Sequence, residues 1–445
     1  MYRDITHSLL NWKNRKGRKP LLLDGARQVG KTYSLLHFGK THFQKFHYLN
    51  FEKNEKLIKI FELDLDPKRI VQEIGIQLNS SIDIKNDLII FDEVQQCPKA
   101  ITSLKYFEEE MPELVVCAAG SLLGVHLGEG SYPVGKIDCL EMYPLTFKEF
   151  LLAIGEKKLY EWMESLRLNH SISEFIHSQL WEKFKLYCVV GGMPDVVQMF
   201  IENKDNLFDA FHAVRNTQDN LINTHLADIA KHSGKQNSMH IERVWRNIPS
   251  QLALEHDQTS SRYRFNDVIP GVHRYTQIIG VIDWLEKAGL IIKVFITNHA
   301  SFPLSAYTKE NFFKLYFFDI GLLGAISQLA PKTILDYGYG TYQGFFAENF
   351  VAQELAAAGC KPLYSWKEAT AEIEFVLTLN GLLVPIEIKS GWVTQSKSLS
   401  VFNQKYHPKT SVVMSANNLT VVKNNQQYRI PVYLASYLPS LQNQS

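Results

Sequence analysis

The chain has 445 residues, 45% hydrophobic and 21% charged, enough apolar material for roughly two to four globular domains. Its formal net charge of +1 provides no molecule-wide field for nucleic acid or an anionic membrane, so either partner would need a local basic patch. Five scattered cysteines without a CxxC pair, an N-terminal stretch without an apolar signal core, and no run of ~18 uncharged apolar residues lead us to expect a cytoplasmic, membrane-free protein.

In chain order, Lys13, Arg15, Lys16, Arg18 and Lys19 form the first basic cluster, which suits phosphate contacts and equally a solvated segment before the first strand. Residues 1–150 alternate short apolar runs with helical patterns. The runs are PLLLDG, FHYLNF, DLIIFDE, ELVVCAAGS and KIDCLEMYPL, and the alternation predicts a parallel α/β sheet. Residues 151–234 are mostly helical in pattern, as in FIHSQLWEKFKLYCVV, with a turn signal at VVGGMPDVV. In residues 235–330, RYTQIIGVIDWLEKAG places Tyr275, Ile278, Ile279, Ile282 and Leu285 on one helical face. Gly289 and the strand-like LIIKVFI follow, an order that suits a winged helix. His273, Arg274 and Gln277 flank that apolar stripe and could enter a DNA groove, or the helix could simply pack between domains. Residues 331–445 begin with the helix FFAENFVAQELAAAG and continue as strands.

The sharpest motif is PLLLDGARQVGKTYSLLHF. Gly25, Gly30, Lys31 and Thr32 satisfy G-x-x-x-x-G-K-[ST], with an apolar strand before and a periodic helix after. Such a loop, here Gly25, Ala26, Arg27, Gln28, Val29, Gly30, Lys31 and Thr32, turns successive N–H groups and a helix N-terminus toward phosphate oxygens. Lys31 is placed to reach the β- and γ-phosphates of ATP, and the Thr32 hydroxyl to ligate Mg²⁺. Downstream, DLIIFDEVQQCP delivers Asp92 and Glu93 at the carboxyl end of a strand, where α/β sheets bind ligands. Asp92 suits the magnesium shell and Glu93 suits activation of the attacking water. A further strand, ELVVCAAGSLLG, ends in Ser121, which could sense the γ-phosphate or merely cap the next helix.

GARQVGKT, IFDEVQQCP, AAGSLLG, YPLTFKEFL, GGMPDVV, WLEKAGLI and KLYFFDIGLL together resemble a prokaryotic group of AAA-type ATPases, in the same order over nearly the whole chain. The resemblance implies a P-loop AAA-type core (1–150), a helical lid (151–234), a winged-helix segment (235–330) and a restriction-endonuclease-like α/β domain (331–445) similar to the PD-(D/E)XK nucleases. DNA and a second copy of the chain are candidate partners. Near the last core strand this sequence has Lys136 where many relatives have arginine, so no arginine finger is assigned.

The segment EIEFVLTLNGLLVPIEIKSG reads as a hairpin around a type I′ Asn380-Gly381 turn. Counting outward from Leu379 opposite Leu382 places Glu374 against Glu387 and Glu372 against Lys389 on one face. Ile373, Phe375, Ile386 and Ile388 fall on the other. Pro385 then faces Val376 at a position that donates no ladder bond. Glu374 against Glu387 is a like-charge pair that a divalent cation, a shared proton or full solvation would have to offset. The nuclease resemblance assigns Glu374, Glu387 and the helical Glu348 to a second Mg²⁺ or Mn²⁺, with Lys389 of the E-x-K pattern positioning water. Glu374 stands where many relatives have Asp. Lys361, Lys367, Lys397 and Lys405 are the nearby cations for phosphate contacts. A solvated charged face, an inactive nuclease-like domain and an active metal-dependent nuclease all satisfy this pattern.

Overall fold

In a computed structural model the apolar run at Leu21 becomes an interior strand of a parallel sheet. The structure describes the chain apart from residues 121–132, 169–170, 257–261, 267, 337–340, 390, 392–395, 423–426 and 445. Ser121 therefore lies outside the described residues. Contacts divide the chain into two compact units, residues 1–143 with 287–289, and residues 144–286 with 290–445.

The first unit holds α1 (Ile5–Asn14), β1 (Leu21–Gly25), α2 (Lys31–His42), β2 (Lys45–Asn50), α3 (Pro67–Gln77), β3 (Asp87–Asp92), α4 (Pro98–Glu110), β4 (Val115–Ala119) and β5 (Asp138–Met142). The sheet order is β2-β3-β4-β1-β5, and every neighbouring pair is parallel. All six residues of β3 are buried, as expected of a strand covered on both faces. Phe51, Phe61 and Phe91 pack edge to face or tilted at 5.6–5.8 Å under the sheet. The sequence-predicted basic cluster is tied into this unit. Lys13 donates to the His42 carbonyl and Arg15 pairs with Asp138, while Arg18 and Lys19 donate to the carbonyls of Glu113 (2.7 Å) and Gly135 (2.6 Å). Lys136 pairs with Glu108 and Glu109 at 2.9 and 3.2 Å.

The second unit begins with α5 (Phe147–Ala153), α6 (Lys157–Ser165), α7 (Glu174–Val190), α8 (Pro194–Asn203), α9 (Leu207–Ser233), α10 (Lys235–His256) and α11 (Tyr275–Lys287). A capping box of Thr146 and Glu149 starts α5, and Gly155 (φ +97°) separates α5 from α6. Strands β6 (Ile291–Thr297) and β7 (Thr308–Phe317) form an antiparallel pair. They are followed by α12 (Ile320–Ile326), α13 (Pro331–Leu335), α14 (Thr341–Ala357), β8 (Leu363–Glu368), β9 (Ala371–Ile373), β10 (Phe375–Leu379), β11 (Leu382–Ile388), α15 (Lys397–Tyr406), β12 (Ser411–Ser415), β13 (Thr420–Val422) and β14 (Gln427–Pro431). One sheet runs β7-β6-β8-β9 and another β10-β11-β12-β14-β13.

Three of the motif segments meet in a buried polar knot. The Asp319 carboxylate accepts from the backbone N–H groups of Gly192 (2.7 Å) and Leu322 (2.9 Å). A Cβ on Gly192 would meet the Leu145 carbonyl oxygen at 2.1 Å, so this approach requires glycine. From α14, Asn349 brackets Phe317 by accepting from its N–H (2.6 Å) and donating to its C=O (3.0 Å). Gln353 accepts from Ile320 N–H and donates to Tyr187 Oη, and Glu354 accepts from Phe147 N–H. Glu354 thus serves α5 from the same helix that carries Glu348.

Candidate functional site

At the carboxyl end of the first sheet, β1 runs into a tight turn. Gly25 has φ +142°, and a Cβ there would meet the Met142 carbonyl oxygen at 2.1 Å. Ala26 and Val29 are buried, Arg27 and Gln28 are half-buried, and Gly30 (φ +98°) leads into α2. Arg3, itself buried, braces the turn by donating to Val29 C=O (2.7 Å) and Tyr143 C=O (2.6 Å). Lys31 Nζ donates to the carbonyls of Gly25 and Ala26, both at 2.7 Å. Burial pushes its ammonium down to about 8, opposed by the charges of Asp24, Glu93 and Asp92.

Thr32 Oγ1 lies 3.0 and 3.1 Å from the two carboxylate oxygens of Asp92, so α2 and β3 bring the two predicted magnesium groups together. The same carboxylate accepts from Tyr48 Oη at 2.6 Å and Asn50 Nδ2 at 3.1 Å. These two β2 residues had no motif to announce them. Burial, then the bond to Asp92, pushes the Tyr48 phenol up to about 12, which keeps it a donor. A hydroxyl beside a polar-bonded carboxylate is a hard oxygen donor set and fits Mg²⁺. Glu93 sits just past β3 with φ +50°, a left-handed conformation that costs energy for a non-glycine residue and recurs at functional sites. Its carboxylate accepts from the Gln95 amide, and burial, then the neighbouring Asp92 charge, raises its proton affinity.

The second candidate site lies on the hairpin. Asn380 (φ +48°) and Gly381 (φ +74°) form the expected turn, and the register pairs Leu379 with Leu382 and Val376 with Pro385. The predicted partnership of Glu372 with Lys389 does not form. The strand breaks at Glu374: β9 leaves the hairpin and pairs with β8, placing Glu372 against Lys367. Glu372 is held by Lys314 (2.5 Å) and Lys367 (2.7 Å), and Lys389 turns to Glu387 (2.6 Å). Burial opposes the Glu372 charge, but Lys314 and then Lys367 hold its carboxyl below the usual range.

The charged face is only partly solvated: Glu387 is 2% exposed, whereas the Glu372 and Lys389 side chains keep 23% and 34% of their surface exposed. Glu374 accepts from Ile388 N–H at 2.9 Å. Burial, then the charges of Glu387 and Glu348, pushes its carboxyl well up. Glu387 is also raised by burial, against the pull of Lys389. Glu348 accepts from Tyr316 Oη at 2.8 Å and faces Lys314 Nζ at 3.8 Å. Among the described residues no three His, Cys, Asp or Glu side chains are grouped as they stand to hold a metal ion, and Glu348, Glu374 and Glu387 are instead engaged by Tyr316, the Ile388 N–H and Lys389. Two of the nearby cations are engaged, Lys367 by Glu372 and Lys405 by Glu368 at 2.6 Å. On α11, the Gln277 side-chain oxygen accepts from the N–H groups of His273 and Arg274, so it caps the helix start.

No single helix among the described residues is long and apolar enough to cross a membrane. Residues 181–333 and 343–435 match two family models, each described as a domain of unknown function (DUF8612 and DUF4143). No curated protein matches the chain. Among solved structures it is similar to the Walker-type ATPase PABY2304 of Pyrococcus abyssi, at 15% identity and TM-score 0.45, over 73% of this chain and 95% of that one. It is also similar to the Thermotoga maritima RuvB Holliday junction branch migration motor, at 14% identity and TM-score 0.31, over 65% and 89%. Aeropyrum pernix Orc1 in complex with DNA gives 12% identity and TM-score 0.24, over 73% and 90%. With TM-scores this low, these three likenesses carry no functional weight. The family model that does bear on the first site is described as an AAA domain and matches residues 17–151, which places an AAA domain on the mixed α/β core with its parallel sheet, the architecture typical of a P-loop ATPase.

Proposed function

We propose that the chain is an ATP-binding and ATP-hydrolysing AAA-type protein. The observation that carries this reading is the Thr32 hydroxyl bonded to the Asp92 carboxylate beside a loop that presents Lys31. Gly25 to Thr32 bind the phosphates, and Lys31 contributes positive charge at the β- and γ-phosphates. Thr32 and Asp92 hold Mg²⁺, which when bound neutralises charge on the phosphate oxygens. Glu93 orients a water and takes its proton as the oxygen attacks the γ-phosphorus, and the bond to the ADP oxygen breaks. Ser121 senses the γ-phosphate. Lys31→Ala should abolish binding of a fluorescent ATP analogue, and Glu93→Gln should bind it normally while releasing little phosphate. Normal binding by Lys31→Ala would refute the phosphate assignment.

We propose further that residues 151–234 are a helical lid, 235–330 a winged-helix-like segment and 331–445 a nuclease-like domain acting on DNA, with a second copy of the chain as partner. The helix–hairpin order of α11, β6 and β7, and a hairpin bearing E-x-K with β12 parallel alongside, support this. The test is cleavage of plasmid and single-stranded DNA with Mg²⁺ or Mn²⁺, which should vanish in Glu387→Ala and Lys389→Ala. A second reading, a nucleotide-gated regulatory protein with an inactive nuclease-like domain, is favoured by the ion pairs that already occupy Glu372 and Glu387.

A further inference from the structure

We propose that Lys314 is the resident cation of the C-terminal carboxylate cluster, and that its ammonium group makes this a charge-compensated centre that excludes a divalent metal. This deepens the second reading above and rests on that reading for its biological use; the ion pairs carry the chemistry.

Lys314 comes from β7, outside both the hairpin and the E-x-K pattern, and is 3% exposed. A buried ammonium group persists only where carboxylates and hydrogen bonds compensate it. Here its Nζ lies 2.5 Å from Glu372 Oε1 and 3.8 Å from Glu348 Oε2. Every carboxylate of the cluster has a donor. Glu372 has Lys314 and Lys367, Glu348 has Tyr316 Oη and Lys314, Glu387 has Lys389, and Glu374 has the Ile388 N–H.

Among the described residues four carboxylates (Glu348, Glu372, Glu374, Glu387) thus face three ammonium groups (Lys314, Lys367, Lys389), an excess of at most one negative charge, which a proton on the buried Glu374 removes. A divalent ion would turn that excess into a positive one. It would also draw Glu348 toward itself and weaken the compensation of a lysine that is almost wholly buried. Lys314 and a metal therefore compete for Glu348, the carboxylate they would share. The E-x-K pattern looks like half of a metal site, while the cation that completes the cluster arrives from a strand more than fifty residues earlier in the chain.

The test uses the full chain carrying Asp92→Asn, to weaken metal binding at the nucleotide loop, with Mn²⁺ alone as probe. Free Mn²⁺ is followed by electron paramagnetic resonance, and thermal unfolding is followed in parallel. The Asp92→Asn chain should bind no Mn²⁺ and show a Tm independent of it. Adding Lys314→Met should create one Mn²⁺ site and a Tm that rises with Mn²⁺, both lost on further Glu387→Gln. Lys314→Arg keeps the charge and should still exclude the ion. Stoichiometric Mn²⁺ binding by the Asp92→Asn chain that Glu387→Gln abolishes would overturn the proposal, as would a folded Lys314→Met chain that still excludes Mn²⁺. If Lys314→Met does not fold, the Asp92→Asn and Lys314→Arg arms decide the question. Mn²⁺ binding without DNA cleavage would sink this proposal and leave the regulatory reading standing; Mn²⁺-dependent cleavage lost in Glu387→Gln would sink both.

Discussion

At Lys31 the fold and the chemistry pull in opposite directions. Burial pushes the ammonium down to about 8, whereas triphosphate bound beside it would favour the charged form. The sign follows directly. Below about pH 8 Lys31 is charged in free and bound protein alike, so affinity for ATP is flat. Above it the free protein loses the proton that binding must restore, and affinity falls by up to about tenfold per pH unit. Nucleotide titrations across this range check it, and constant affinity well above pH 8 would refute it. The loop and the Asp92–Glu93 pair were legible because each function is written in a short contiguous motif. Tyr48, Asn50 and Lys314 were not, because each reaches its carboxylate from another strand and no local spacing encodes such a contact.

Among the elements, the hairpin was readable because turn chemistry fixes register. Asn380-Gly381 adopts the two left-handed residues of a type I′ turn, and Pro385 lies where no donor is required. The exit of β9 at Glu374 left no trace in the sequence, since the alternation of apolar and charged residues runs through the break. Spacing alone therefore sets Glu372 against Lys389, whereas its partners in the structure are Lys314 and Lys367. Helix α14 illustrates a complementary case, in which apolar residues announce the helix but its polar side chains do the joining. Asn349 stands in for a neighbouring strand at Phe317, and Asn349→Ala would leave a buried N–H and C=O without it. We expect a loss of about 1–3 kcal/mol, measured by urea denaturation. A loss within error would mean that solvent or a neighbouring residue replaces both bonds.

For the molecule as a whole, a length of 445 residues suits roughly two to four domains, and contacts divide the chain into two compact units. From residue 144 onward, segments distant in sequence share sheets, as β6 does with β8, so a reading made window by window cannot see that they belong together. Two units predict two calorimetric transitions, with ATP raising the one that belongs to residues 1–143. Saturation at a hundredfold over Kd corresponds to about 2.7 kcal/mol. A single transition moved as a whole by ATP would show that the units unfold together.

The central claim is that Glu93 activates water at an ATP site built by Lys31, Thr32 and Asp92. Phosphate release from Mg·ATP by wild type and Glu93→Gln, at concentrations where both are saturated with nucleotide, tests it most directly. The account predicts turnover by wild type and a fall of about 10²–10⁴-fold in the variant with binding unchanged. Equal phosphate release by the two proteins, or none by wild type, would contradict it.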